Sequence, residues 1–166
     1  MAGLLTSLEA SIPALRRYVA TLLGDQRAAD DVVHECLVAA LRRPNAQREA
    51  TLHLSLLGSV HRTAVTRLRR KGIRWDPSAL NTSPAETPCV ADADIASAEL
   101  VRVFGNLPVE LRSVLFLVSV EELSYPAVAE VIGMPIAAVM SLLSTGREQL
   151  RSLARDEAGA AARRTA

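Results

Sequence analysis

Four cations crowd into five positions, Arg67, Arg69, Arg70 and Lys71, with Arg62 shortly before them. Such a density of charge neutralises phosphates and releases their counterions. The same residues would also suit a helix C-terminus, where cations meet the negative end of the dipole. We take phosphate contact as the better of the two readings. An acidic counterpart lies in 28–35, AADDVVHE, with Asp30, Asp31, Val32, His34 and Glu35. Asp31 and Glu35 are four apart and share one helix face. On residue types alone, that face is a solvated acidic surface in the first turns of a helix. A third group, Ser141, Thr145, Arg147 and Arg151, can contact nucleic acid, with the apolar Met140 and Leu142 beside it. His34, His53 and His61 do not assemble with a nucleophile, and no P-loop, GxSxG or HExxH occurs. Cys36 and Cys89 form no metal-ligand spacing, and Cys36 reads as a buried free thiol. We therefore expect no enzyme, no cofactor and no metal.

The net charge of +1 hides an asymmetry. Residues 1–72 hold 11 Lys+Arg against 6 Asp+Glu, and 94–157 hold 5 against 9. The basic half suits a polyanion, and the acidic half does not. Apolar residues make up 49% of the chain and aromatics 3%, which favours packed helices over a β-sandwich. No apolar run reaches the ~20 residues that span a bilayer, and no signal peptide is evident, so a cytoplasmic protein is expected.

Helical periodicity must position these groups. Ile12, Leu15, Val19, Leu22 and Leu23 mark a first helix closed by Gly24. Asp25 can cap a second, with Val33, Cys36, Leu37, Ala40 and Leu41 inward and Pro44-Asn45 as its stop. A third spans 51–71, with Leu57, Val60, Ala64 and Leu68 on one stripe and Gly72 after it. Residues 73–93 carry three prolines and no periodicity, and read as a flexible linker holding the lone Trp75. Ala98, Val101 and Phe104 suggest a further helix, and 109–120 a strongly apolar one. Ser124 can cap a short helix over 126–132. Gly133-Met134-Pro135 turns the chain into a last helix over 135–156, followed by a fraying tail, 157–166. Val139 and Leu143 should face inward, and Ala138, Ser141, Leu142 and Thr145 outward. The expectation is an all-α chain: a helical domain over 1–72, a linker over 73–93, a helix-turn-helix domain over 94–156 and a disordered tail.

Two ordered blocks carry a family resemblance. LRRYVATLLGDQRAADDVVHECLVAAL over 15–41, with the helix ending RLRRKG, resembles conserved region 2 of extracytoplasmic-function (ECF) bacterial RNA polymerase sigma factors. LPVELRSVLFLVSVEELSYPAVAEVIGMPIAAV, beginning at Leu107, resembles their region 4, in wording nearest the general-stress sigma factors of alphaproteobacteria. The resemblance implies that 30–35 docks on the β′ clamp of core RNA polymerase and that region 4 meets the β flap. It implies that the basic end of the third helix meets the −10 promoter element and the last helix the −35 element. It also implies control by an anti-sigma factor.

Some positions depart from the family pattern. Ser55 stands where the family commonly has Trp, and Arg62 where it has Asn. The segment 43–50 has no aromatic to stack a flipped base. Met140, Leu142 and Thr145 stand where cations are usual. Met140 and Leu142 then either contact protein or pack within the fold. An alternative function follows, a sigma-like interaction module that sequesters an anti-sigma factor with weakened DNA binding. An ordinary helix-turn-helix regulator is disfavoured by the two-module layout.

Overall fold

The computed structural model describes residues 2–42, 49–73 and 104–165. The six helices are α1 (Ala2–Leu23), α2 (Gln26–Leu41), α3 (Glu49–Arg70), α4 (Val109–Ser119), α5 (Tyr125–Ile132) and α6 (Ile136–Thr165). No strand occurs among the described residues, in agreement with the all-α expectation. Pro44-Asn45, Trp75, Cys89, the 73–93 linker beyond Ile73 and the helix around Ala98 and Val101 lie outside them; Phe104 and Gly105 are helical.

The expected punctuation is present. Gly24 adopts φ 68 and its N–H donates to Ala20 O at 2.9 Å, closing α1. The Asp25 carboxylate caps α2 by accepting from the N–H groups of Arg27 and Ala28. Ser124 Oγ accepts from Ala127 N–H at the start of α5, with Pro126 in its first turn. Gly133 takes the left-handed conformation, φ 75, that ends α5. The chain then bends 102° into α6, the geometry of a helix-turn-helix. Two boundaries differ. Instead of stopping near Asp156 and fraying, α6 continues to Thr165, because the Ala-rich 157–165 has high helix propensity. Leu41, expected inward, is 53% exposed at the last turn of α2, where the helix has run past its neighbours.

α1, α2 and α3 pack around Leu15, Val19, Leu22, Val32, Leu57 and Val60, all fully or nearly fully buried. α4 is the centre of the second half. Val109 through Leu117 are buried without interruption, against Val128 and Val131 of α5 and Val139, Leu142 and Leu143 of α6. Gly146 lets α6 approach α4, since a Cβ there would lie 3.0 Å from Leu115 Cδ1.

The two halves are packed against each other, α1 on α4 and α3 on α5. α3 comes so near α5 at Gly58 that an added Cβ would lie 3.7 Å from Val131 O. The contact contains buried polar groups. The Tyr18 hydroxyl hydrogen-bonds with His61 Nδ1 at 2.8 Å and with Ser113 Oγ at 2.6 Å, joining α1, α3 and α4. The Tyr18 ring lies 5.6 Å from that of Phe116. Arg112, fully buried, donates from Nη1 to Thr21 O at 2.9 Å near the end of α1. Burial lowers its guanidinium to about 10, with nearby Glu110 acting against the shift. Glu121, after α4, lies 3.7 Å from both Arg17 and His53.

Burial lowers the His61 imidazole from 6.5 to about 4, and the Arg62 charge adds to the effect. The folded protein thus holds a neutral ring. Its contribution is complete above pH 6.5 and is lost as pH falls from there through 4, on the order of 3 kcal/mol in total. Thermal unfolding and X-ray scattering from pH 7 to 4.5 should therefore show a falling midpoint and an expanding chain. His61→Phe should flatten that dependence relative to the native protein; an unchanged slope would assign it to other groups.

Candidate functional site

Three surfaces carry the candidate residues. The first is the outer face of α2. Asp31 and Glu35 are exposed there, as is His34. Asp30 is not a free anion. Arg16 Nε and Nη2 donate to its two oxygens at 2.6 and 2.7 Å, a bidentate pair that holds the carboxyl below its usual range. Val32 does not belong to this surface: it is fully buried in the three-helix core, because it falls on the same stripe as Ala29 and Cys36. Cys36 is a buried free thiol whose contact with Thr63 Oγ1, 3.5 Å away, ties α2 to α3. Burial raises its pKa, which makes it less reactive.

The second surface is a groove of about 540 Å³ between α2 and α3, lined by Glu35, Arg62, Thr63, Thr66, Arg67, Arg70 and Lys71 among others. Arg62, Arg69, Arg70 and Lys71 are exposed and available to a polyanion. Arg67 is half-buried and tethered. Its Nη2 donates to Glu35 Oε2 at 3.2 Å, Asp31 lies 4.0 Å from Nη1, and Nη1 also donates to Ala28 O at 3.4 Å. The acidic and basic candidates therefore meet in one place, with Arg67 joining them.

The third surface is α6. Met140 is 53% exposed, with Ile136, Ser141, Arg147 and Arg151 also exposed and Thr145 half-buried. Val139 and Leu143 face inward as expected, and Ala138 is half-buried. Leu142 corrects the outward expectation: it is 3% exposed and packs in the core with Val139 and Leu143, so it cannot contact a partner. Leu142 and Leu143 are both buried one turn after Val139, which widens the buried stripe to include Leu142.

Sequence reading missed the contacts between the halves. Arg112 and Glu110 at the start of a strongly apolar helix were the available signal, since buried charges need partners. Nothing in the sequence indicated that Tyr18 and His61 would be that region's neighbours. Among the described residues no cluster of ligands could hold a metal, and no single helix is long and apolar enough to cross a membrane.

The described residues thus form a three-helix half followed by a helix-turn-helix half. Residues 8–56 match the family described as the Sigma2 domain of PhyR, and 97–150 match Sigma-70, region 4. The first match ends before Arg62, so the basic end of α3 lies outside it. The chain is 28% identical, over 87% of its length and 81% of the relative's, to "ECF RNA polymerase sigma factor EcfG" of Rhodopseudomonas palustris. It is 29% identical, over 78% of its length, to "ECF RNA polymerase sigma factor SigE" of Mycolicibacterium smegmatis, spanning about half (53%) of that protein. The solved sigma factor RpoE of Bartonella quintana, in complex with the anti-sigma factor NepR, shares the fold: TM-score 0.72 at 19% identity, over 93% of this chain and 98% of that one. Both family matches are to sigma-factor domains, in the order region 2 then region 4, and both curated relatives are ECF sigma factors.

The cationic groove yields a prediction. Arg70→Ala with Lys71→Ala should reduce the slope of log affinity against log salt for duplex DNA by about 2, at ~0.9 per phosphate contact. Arg67→Ala should change the slope less, because its charge is already matched by Glu35 and Asp31. Fluorescence anisotropy from 50 to 300 mM salt reads both; a larger effect from Arg67 would contradict the pairing.

Proposed function

We propose that this chain binds core RNA polymerase and directs transcription initiation at specific promoters, under the control of an anti-sigma factor. The observation that carries the proposal is the ordered pair of halves, each with an exposed surface suited to its part. Asp31, His34 and Glu35 on α2 are the polymerase-facing group, meeting the β′ clamp. Arg62, Arg69, Arg70 and Lys71 face the −10 element, and Ser141, Arg147 and Arg151 on α6 the −35 element. The second half reaches the β flap. The domain bounds that go with this reading are 1–72 and 94–156.

The packed arrangement is the resting form. Elements centred 25 base pairs apart are separated by about 85 Å of duplex at 3.4 Å per step. A packed chain of this length has a radius of gyration of about 15 Å and a width of about 40 Å. One packed molecule cannot touch both elements, so α1 and α3 must part from α4 and α5. The 21 residues of the 73–93 linker offer up to ~70 Å of contour, to which the widths of the two halves add.

The second reading, a module that sequesters an anti-sigma factor, is favoured by the exposed Met140 and Ile136. Promoter-specific open complexes formed by core polymerase with this chain separate the two; polymerase binding without initiation at any promoter contradicts the first. A disulfide across the halves tests the resting form. A Cβ at position 58 would lie 3.9 Å from Val131 Cα, so thiols introduced at the two positions would be close neighbours. Oxidised Gly58→Cys/Val131→Cys protein should lose initiation by at least tenfold and regain it on reduction. Full activity in the oxidised state would show that the halves need not part.

A further inference from the structure

We infer that α6 reads its DNA site through thymine methyl groups, with Met140 as the specificity-determining residue. The inference rests on the sigma-factor reading above and says how its −35 contact discriminates sequence. Residues 136–146, IAAVMSLLSTG, contain no Arg, Lys, Asn, Gln, Asp or Glu. The N-terminal half of a recognition helix is the part that reaches base edges. From this half, bidentate readout of guanine by Arg or Lys, and of adenine by Asn or Gln, is chemically unavailable. Val139, Leu142 and Leu143 are buried. The groups left to meet bases are Ile136, Ala137, Met140, Ser141 and Ser144, all exposed.

Only one base presents an apolar group in the major groove, the C5-methyl of thymine. Met140 is the longest and most exposed apolar side chain on this half, and its flexible thioether can follow a methyl's position. Ser hydroxyls bond any base and discriminate weakly. Phosphate grip comes from elsewhere. Met140 shares a groove of about 340 Å³ with Tyr125, Ser144, Arg147 and Arg151, so cations flank the apolar reader. Arg147, Arg151 and Arg155 recur every four residues and are exposed, and Glu148 is the one acid in 136–155. The helix as a whole, 136–165, holds five Arg against three acids, Glu148, Asp156 and Glu157, and the other six acids of the second half lie outside it. That charge pattern fits duplex DNA better than an acidic or neutral protein surface.

The test uses the full chain with core polymerase. A library randomised over the −35 element is selected for binding, and each thymine in the recovered site is then replaced by deoxyuridine, which removes the methyl alone. The expectation is recovered sites holding at least one thymine whose replacement weakens binding about fourfold, the value of one buried methyl-sized group at ~0.8 kcal/mol. Met140→Ala should bind thymine and deoxyuridine sites equally, and Met140→Lys should select guanine instead. Sites without such a thymine, or thymine and deoxyuridine bound equally by the native protein while initiation stays promoter-specific, overturn the inference and leave the sigma reading intact. If Met140→Lys instead abolishes polymerase binding, the face belongs to protein. No promoter-specific initiation at all sinks the parent reading.

Discussion

The buried polar contact between the halves is the constraint on which the rest depends. Tyr18, His61 and Ser113 satisfy one another only while α1, α3 and α4 stay together. A buried polar group that loses its partner costs about 1–3 kcal/mol unless water replaces it. The contact is also imperfect. Nε and Nη2 of Arg112 and Oε1 of Glu121 have no hydrogen-bond partner among the described residues. A buried guanidinium with unmatched donors opposes packing. The interface is thus specific in geometry and limited in strength. Such a combination suits halves that are held together at rest and separated when larger surfaces compete for them.

Much of this molecule was legible in its sequence, for local reasons. Gly24, Asp25, Ser124 and Gly133 mark helix ends because each solves a backbone problem within a few residues. The apolar stripes of α1 and α3 follow helical spacing closely enough to name the core. The errors arise where a stripe is wider than its simplest form. Val32 lies on the inner stripe with Ala29 and Cys36 despite the acids beside it, and Leu142 widens the stripe of Val139 and Leu143. The α6 tail was read as frayed because it lacks apolar periodicity, yet its alanines suffice for helix.

The site was legible as an inventory of charges and illegible as a set of pairs. Arg67 belongs both to the basic cluster and to the acidic face, because α2 and α3 bring Glu35 within 3.2 Å of it. Asp30 is likewise spoken for by Arg16, which is fourteen residues earlier in the chain. What remains exposed on α2 is Asp31, His34 and Glu35, and on α3 the last two turns of cations. The departures of α6 from the family pattern also divide. Leu142 is structural, and Met140 stands at the surface among serines and arginines.

The central claim is that the halves are packed in the free chain and parted when it works. Spin labels on the exposed Ala10 of α1 and Glu130 of α5, with both native cysteines replaced, report it directly by pulsed dipolar spectroscopy. The account predicts one narrow, short distance in the free protein. On joining core polymerase and promoter DNA, that distance should lengthen by tens of ångströms. A broad, long distribution in the free chain, or the same short distance in the promoter complex, would contradict it.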